Sequence, residues 1–249
     1  MGLDNDLEDA VARGELIAYY QPQIDLDTDR IVAVETLARW AHPTRGMLTP
    51  GEFIPRAERN GLIHEIGEFM METGCASGAH WHQNGLDLEV AVNVSASQLS
   101  NAAFLDGLAV SLRLGTMPPK LLTIEITESE LIRDVPNAAA RLRELCDLGV
   151  GVSIDDFGSG HSSLSRLREL PFTELKIDQR LVQDESATTR SLLGIVIGLV
   201  RDRGVRVVAE GVETLEQLHR VREFGCDRVQ GFYLSGPVPE AAIDAMVLG

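Results

Sequence analysis

The feature that most constrains this chain is an alternation of short apolar, β-branched runs with segments of helical period. Eight runs qualify as strands: "LIAYYQPQIDL", "IVAVETLARW", "LEVAVNVS", "LLTIEITES", "GVSIDDFG", "TELKIDQ", "VRVVAEGVE" and "RVQGFYLS". Between most of them lie helical patterns, among them "GEFIPRAERNG", "IGEFMMETGCASGAHWHQNG", "NAAARLRELCDLG", "SLLGIVIGLVRDRG" and "TLEQLHRVREFG". All five end in glycine, a helix stop signal, most of them after a basic last turn or a polar stretch. Eight such units in 249 residues fit an α/β fold of the (β/α)8 TIM-barrel type. An open doubly wound sheet usually has fewer strands and a Gly-rich phosphate turn after the first. The first link departs from the pattern: "DLDTDR" is a hairpin-type turn, so at least one strand is expected to run antiparallel.

A second regularity lies at the strand ends. Glu35 follows "IVAV", Asn93 follows "VAV", Glu125 follows "LTI", Asp155 follows "VSI", Lys176 follows "TEL", Glu210 follows "VVA" and Gln230 follows "DRV". In a parallel barrel these positions converge on the C-terminal mouth, where barrel enzymes place their chemistry. Singly, such a residue is more often a helix cap or a solvated loop side chain. Together they are another matter, because each unpaired buried carboxylate costs several kcal/mol and so calls for a cation. Glu35, Glu125, Asp155, Asp156 and Glu210 against Lys176 leave four excess negative charges, which two divalent ions would cancel. An all-oxygen donor set of Glu, Asp and Asn suits Mg²⁺ or Mn²⁺ rather than zinc. The adjacent Asp155 and Asp156 are then tolerable neighbours, since metal ions relieve their repulsion.

Composition narrows the rest. With 44% hydrophobic and 24% charged residues and no low-complexity tract, residues 1–249 are expected to form a single domain. A net charge of −16 without a basic stretch argues against a nucleic-acid polymer as partner. The longest apolar run, "LLGIVIGLV", is about half of what a membrane span needs. The acidic N-terminus lacks a signal-peptide core, so a cytoplasmic location without membrane attachment is expected. Cys75, Cys146 and Cys226 form no CxxC pattern and are expected as reduced, buried thiols. "HWH" at His80–His82 lies late in a helix, where histidine suits the negative dipole end, and "GSG" at 158–160 is no P-loop.

Over almost its whole length the chain resembles the EAL domain of bacterial cyclic di-GMP phosphodiesterases. "YYQPQIDL", "ETLARW", "NVS", "EITES", "DDFGSGHSSL", "LKID", "AEGVET" and "QGFYLSGP" occur in that family's order and spacing. The resemblance implies a barrel whose first strand is reversed, and hydrolysis of cyclic di-GMP to linear pGpG. It implies Glu35, Asn93, Glu125 and Asp155 as ligands of a first metal, and Asp155 with Asp156 as the pair recruiting a second. Lys176 matches a lysine contacting the attacking water or phosphate, Glu210 a metal ligand or base, and Gln230 an amide completing the site among the metal residues. Arg39 matches an arginine that binds a substrate phosphate, Asp156 lies beside the substrate, and Gln23 lies in the strand used near the guanine. By the same analogy Glu128 holds the loop after Asp156, while Asp178 and Glu213 support the metal region; capping or solvent-facing roles fit these three equally well. A homodimer through the Asp156 loop and the helix after it is also implied.

Departures are few. The signature reads Glu-Thr-Leu at 35–37, and Thr36 should point away from the mouth because strand neighbours face opposite sides. Ser159 and His161 replace the more usual threonine and tyrosine, with consequences expected for loop dynamics and dimer contacts only. The alternative to an enzyme is a non-hydrolysing cyclic di-GMP receptor or scaffold. Inactive relatives lose ligands of the kind that are all present here. A Mg²⁺-dependent barrel acting on another phosphate ester is the alternative within enzymes.

Overall fold

The β-branched runs pair edge to edge until they close on themselves. The structure, a computed structural model, describes residues 3–131, 135–159 and 169–248. Its strands are β1 (Leu16–Asp25), β2 (Ile31–His42), β3 (Gly46–Leu48), β4 (Glu89–Asn93), β5 (Leu122–Thr127), β6 (Gly151–Phe157), β7 (Glu174–Ile177), β8 (Arg206–Ala209) and β9 (Arg228–Val229). The order β1-β9-β8-β7-β6-β5-β4-β2 is closed by β1 pairing with β2, which makes an eight-stranded barrel with β3 appended to the outer end of β2. Strand β1 is antiparallel to both its neighbours, and the other barrel strands are mutually parallel. The fold is thus the α/β barrel with a reversed first strand that the "DLDTDR" turn foreshadowed.

Alternation along each strand divides the protein into two interiors. Outward residues such as Val90, Val92, Leu122, Ile124, Val152, Ile154, Leu175 and Val207 are almost completely buried. They pack under helices that include Ile63–Gln83, Ala102–Leu114, Val135–Asp147 and Ala187–Arg201. Each such aliphatic side chain contributes roughly 1.5–3 kcal/mol by leaving water. Thr36 also lies on this outer side, buried, with its hydroxyl near the Gly74 backbone of Ile63–Gln83.

The inward residues are unusually polar. At the end where the parallel strands begin, Glu89, Glu174, Arg206 and Arg228 form a charge-balanced ion network. Glu89 accepts from Nη1 and Nη2 of Arg206 at 3.2 and 2.8 Å and from Nη1 and Nη2 of Arg228 at 3.0 and 2.6 Å. Arg206 Nε donates to Glu174 at 2.7 Å. Thr123 and Ser153 are likewise buried on the inward face. Barrels of this type usually fill this space with branched aliphatics.

The eighth strand is shorter than "RVQGFYLS" suggests. Pairing stops at Val229, and Gly231 passes so close to the Val212 backbone that a Cβ would lie 2.2 Å from its carbonyl oxygen. Phe232 and Tyr233 are therefore carried onto the surface instead of along a strand. Among the described residues all three cysteines are free thiols, and no helix is long and apolar enough to cross a membrane. His161 and the segment after Ser159 expected at a dimer contact lie outside the described residues.

Candidate metal centre

Parallel strands deliver their last inward residues to one rim, and that rim carries the charge. Lys176, fully buried, sits at the centre of four carboxylates: Glu210 Oε1 at 2.8 Å, Glu125 Oε2 at 2.9 Å, Glu35 Oε2 at 3.2 Å and Asp155 Oδ1 at 3.3 Å from its Nζ. Strands β2, β5, β6 and β7 supply Glu35, Glu125, Asp155 and Lys176, and Glu210 directly follows β8. Around it the amides fix Glu35: Asn93 Nδ2 donates to Oε1 at 2.8 Å and Gln230 Nε2 to Oε2 at 2.5 Å.

Asp156 reaches the same mouth by a local irregularity. In an unbroken strand Asp155 and Asp156 would face opposite sides. The pairing of β6 with β7 shifts register between Ile154 and Phe157, and Asp156 adopts a left-handed backbone with φ of 58°. Such a conformation costs a non-glycine residue about 1–3 kcal/mol, least for Asp and Asn. The outcome is two acidic triads. Glu35, Glu125 and Asp155 can offer oxygens within 4.8 Å of one another, and so can Asp155, Asp156 and Glu210, with Asp155 common to both.

The electrostatics follow from burial. Removal from water pushes the Glu125 carboxyl well above the usual carboxylate range, against the pull of Lys176. Glu210 is pushed up likewise, by burial first and then by Asp155. Asp155 is also raised by burial, and Asp156 is pushed up to about 6 by burial and by Asp155 and Asp178. Glu35 goes the other way: burial opposes its charge, but the Lys176 ammonium and the Gln230 and Asn93 donors outweigh it. For Lys176, burial works against the charge and the surrounding carboxylates overcome it, holding the ammonium well above its ordinary pKa. One further observation fits a cation. Among the described residues buried Glu125 Oε1 has no hydrogen-bond partner, so one oxygen of this all-oxygen donor set is uncommitted.

The residues singled out beyond the rim fall in different places. Glu128 is buried and accepts from the Gly158 N–H at 3.4 Å, tying down the turn after Asp156. Asp178 is buried and caps the helix Gln179–Gln183 through the Arg180 N–H at 2.8 Å. Glu213 is exposed and its side chain does not join the cluster. Arg39 lies on the mouth face of β2 beyond Glu35, its guanidinium over the Tyr19 ring at 5.6 Å and its Nη1 donating to the Ala38 carbonyl at 2.8 Å.

Gln23 is not at the mouth. It is buried one layer down, opposite Ala33, and donates to Gln230 Oε1 at 3.1 Å. Because β1 runs backwards, the residue nearer the N-terminus is nearer the rim, and Gln21 stands opposite Glu35, accepting from Gln230 Nε2 at 3.1 Å. Gln21 was not singled out in the sequence; counting back along a reversed strand would have found it. Above the cluster opens a cavity of about 420 Å³ lined by Glu35, Asn93, Glu125, Asp155 and Asp156, with Ile54, Ile66 and Met70 on an apolar wall.

Fold and mouth together define an α/β barrel whose rim carries two adjoining, oxygen-only candidate metal triads. A family model described as the EAL domain matches residues 4–237, and the chain belongs to that family. It is 38% identical over 246 residues to the bifunctional diguanylate cyclase/cyclic di-GMP phosphodiesterase MucR of Pseudomonas aeruginosa, covering 98% of this chain and 36% of that protein. It is also 38% identical over 228 residues to the cyclic di-GMP phosphodiesterase PA2567 of the same organism, covering 90% of this chain and 39% of that protein. The solved structure "PaMucR Phosphodiesterase, c-di-GMP complex" superposes with a TM-score of 0.91 at 38% identity, covering 96% of this chain and 98% of the other. The chain thus spans little more than a third of the length of these two curated relatives.

Proposed function

We propose that this chain hydrolyses cyclic di-GMP to linear pGpG with two divalent cations, Mg²⁺ or Mn²⁺. The observation that carries the proposal is the pair of acidic triads joined through Asp155, in a chain whose similar relatives include proteins named as cyclic di-GMP phosphodiesterases. Glu35, Asn93, Glu125 and Asp155 would hold one ion, and Asp155, Asp156 and Glu210 the other. When bound, the ions supply Lewis-acid stabilisation of the phosphoryl oxygens and lower the pKa of a water at the mouth.

The chain's own groups divide the remaining work. Lys176, held cationic by its neighbours, offsets negative charge developing on the phosphate and cannot serve as a base. Glu210, whose carboxyl is raised by burial and which lies 2.8 Å from Lys176 Nζ at the mouth, is the group placed to take a proton from water. The water oxygen bonds to phosphorus as the bond from phosphorus to the 3′ oxygen breaks, and that oxygen leaves as a hydroxyl after taking up a proton. Asn93 and Gln230 keep both Glu35 oxygens oriented, and Arg39 receives a phosphate oxygen. We place the protein as a homodimer as well, which sedimentation at micromolar concentration would check.

Incubating the protein with cyclic di-GMP and Mg²⁺ or Mn²⁺, and following products by chromatography, tests the proposal. Formation of pGpG that stops on chelation is the expected result. Nucleotide binding without turnover would replace the enzyme with a receptor.

A further inference from the structure

The guanidinium of Arg39 is fixed without being neutralised. Among the described residues no carboxylate lies within 4.0 Å of it, whereas Arg206 and Arg228 are each fastened to Glu89. Its anchors are neutral: the Tyr19 ring, 5.6 Å from Cζ to centroid, and the Ala38 carbonyl, which takes one Nη1 hydrogen. Tyr19 reaches it across the sheet, because Tyr19 stands opposite Leu37 in the β1–β2 register and Arg39 is the diagonal neighbour two residues on. The Nε and Nη2 edge has no partner among the described residues. That edge is the planar fork that matches two oxygens of a phosphate.

We infer that Tyr19 is a positioning residue that pre-orients Arg39 for an anionic phosphate ligand at the mouth. The inference rests on the phosphate-binding part given to Arg39 above. An arginine side chain left free has many rotamers, and part of that freedom is lost on binding. A carboxylate clamp would remove that freedom but also cancel the charge and occupy the fork. An aromatic face removes it and leaves both intact. Tyr19 acts only through Arg39, so its effect should appear in nucleotide affinity and not in the chemical step.

The test is a double-mutant cycle on the full chain, with dissociation constants for cyclic di-GMP measured under chelation and with KM and kcat measured alongside. Tyr19→Leu should weaken binding and raise KM by roughly threefold to tenfold with kcat nearly held, in the range of a cation–π contact. Tyr19→Phe and Tyr19→Trp should retain most or all of the affinity, with Trp the tightest. In an Arg39→Ala background Tyr19→Leu should change nothing further. Tyr19 is half-buried at the rim, so melting temperatures should remain close to one another and show that the effect is not loss of fold.

The outcomes are separable. If Arg39→Ala weakens binding and Tyr19→Leu does not, the inference fails and the phosphate-binding part of Arg39 stands. If the two losses add independently, Tyr19 touches the ligand directly and the positioning role is wrong. If Arg39→Ala binds like the unsubstituted protein, the part given to Arg39 fails and the inference fails with it.

Discussion

Replacing Glu89 by glutamine tests whether the barrel interior is organised as two stacked ionic layers. Glu89 accepts four N–H bonds from Arg206 and Arg228, so Glu89→Gln removes the charge and turns an NH₂ group toward those donors. Breaking one side of a buried ion pair costs about 3–5 kcal/mol, and the 20% exposure of the Glu89 side chain moves the expectation to about 2–4 kcal/mol. For a domain of this length that is a fall in melting temperature of about 4–16 °C. Urea unfolding should show a lower midpoint with an unchanged slope.

The pH dependence gives a second check. Burial works to raise the Glu89 carboxyl, but the Arg228 and Arg206 guanidiniums outweigh it and hold it below the ordinary range. A depressed carboxyl contributes its full stability above the unfolded-state pKa and loses it as pH falls toward the folded value. The difference between the two proteins should therefore be largest near neutrality and shrink in acid. Equal midpoints at pH 7, or a gap that widens on acidification, would refute the reasoning.

Gly158→Ala should cost about 1–3 kcal/mol, because φ is +97° and the new Cβ would lie 2.1 Å from Leu181 Cδ1; a lower melting point with reduced turnover is expected, only partly restored by Leu181→Ala. Gln23→Leu should lower kcat/KM by roughly fivefold to thirtyfold through the lost donor to Gln230, with KM unchanged; a raised KM would mean that Gln23 meets the nucleotide itself. Lys176→Met should lower kcat at least about 100-fold while nucleotide binding persists, and wild-type turnover would show the ammonium to be dispensable.

The rim of the barrel was legible in the sequence because parallel strands end at one face, so the last inward residue of each run identifies itself by following an apolar stretch. Glu35, Asn93, Glu125, Asp155, Lys176, Glu210 and Gln230 all come from that rule. What escaped lies where the rule has no purchase. Glu89, Glu174, Arg206 and Arg228 open their strands and read there as ordinary boundary charges. Only the two-residue spacing from each to an inward residue further up, as in Glu174 and Lys176, betrays that they share the same face. Gln23 entered through the family resemblance, and alternation along β1 does not by itself separate it from Gln21, two residues away on the same face and opposite Glu35. The turning of Asp156 into the mouth depends on a register shift and a left-handed residue, neither of which leaves a mark beyond the glycine at 158.

The number of divalent ions held at the mouth is the most direct measurement of all. Calorimetric titration of Mn²⁺ into metal-free protein with cyclic di-GMP present should give two ions per chain, reduced to one by Glu125→Gln or Asp156→Asn and to none by Asp155→Asn. A single ion in the unsubstituted protein, or two that survive the loss of Asp155, would contradict the shared-carboxylate account.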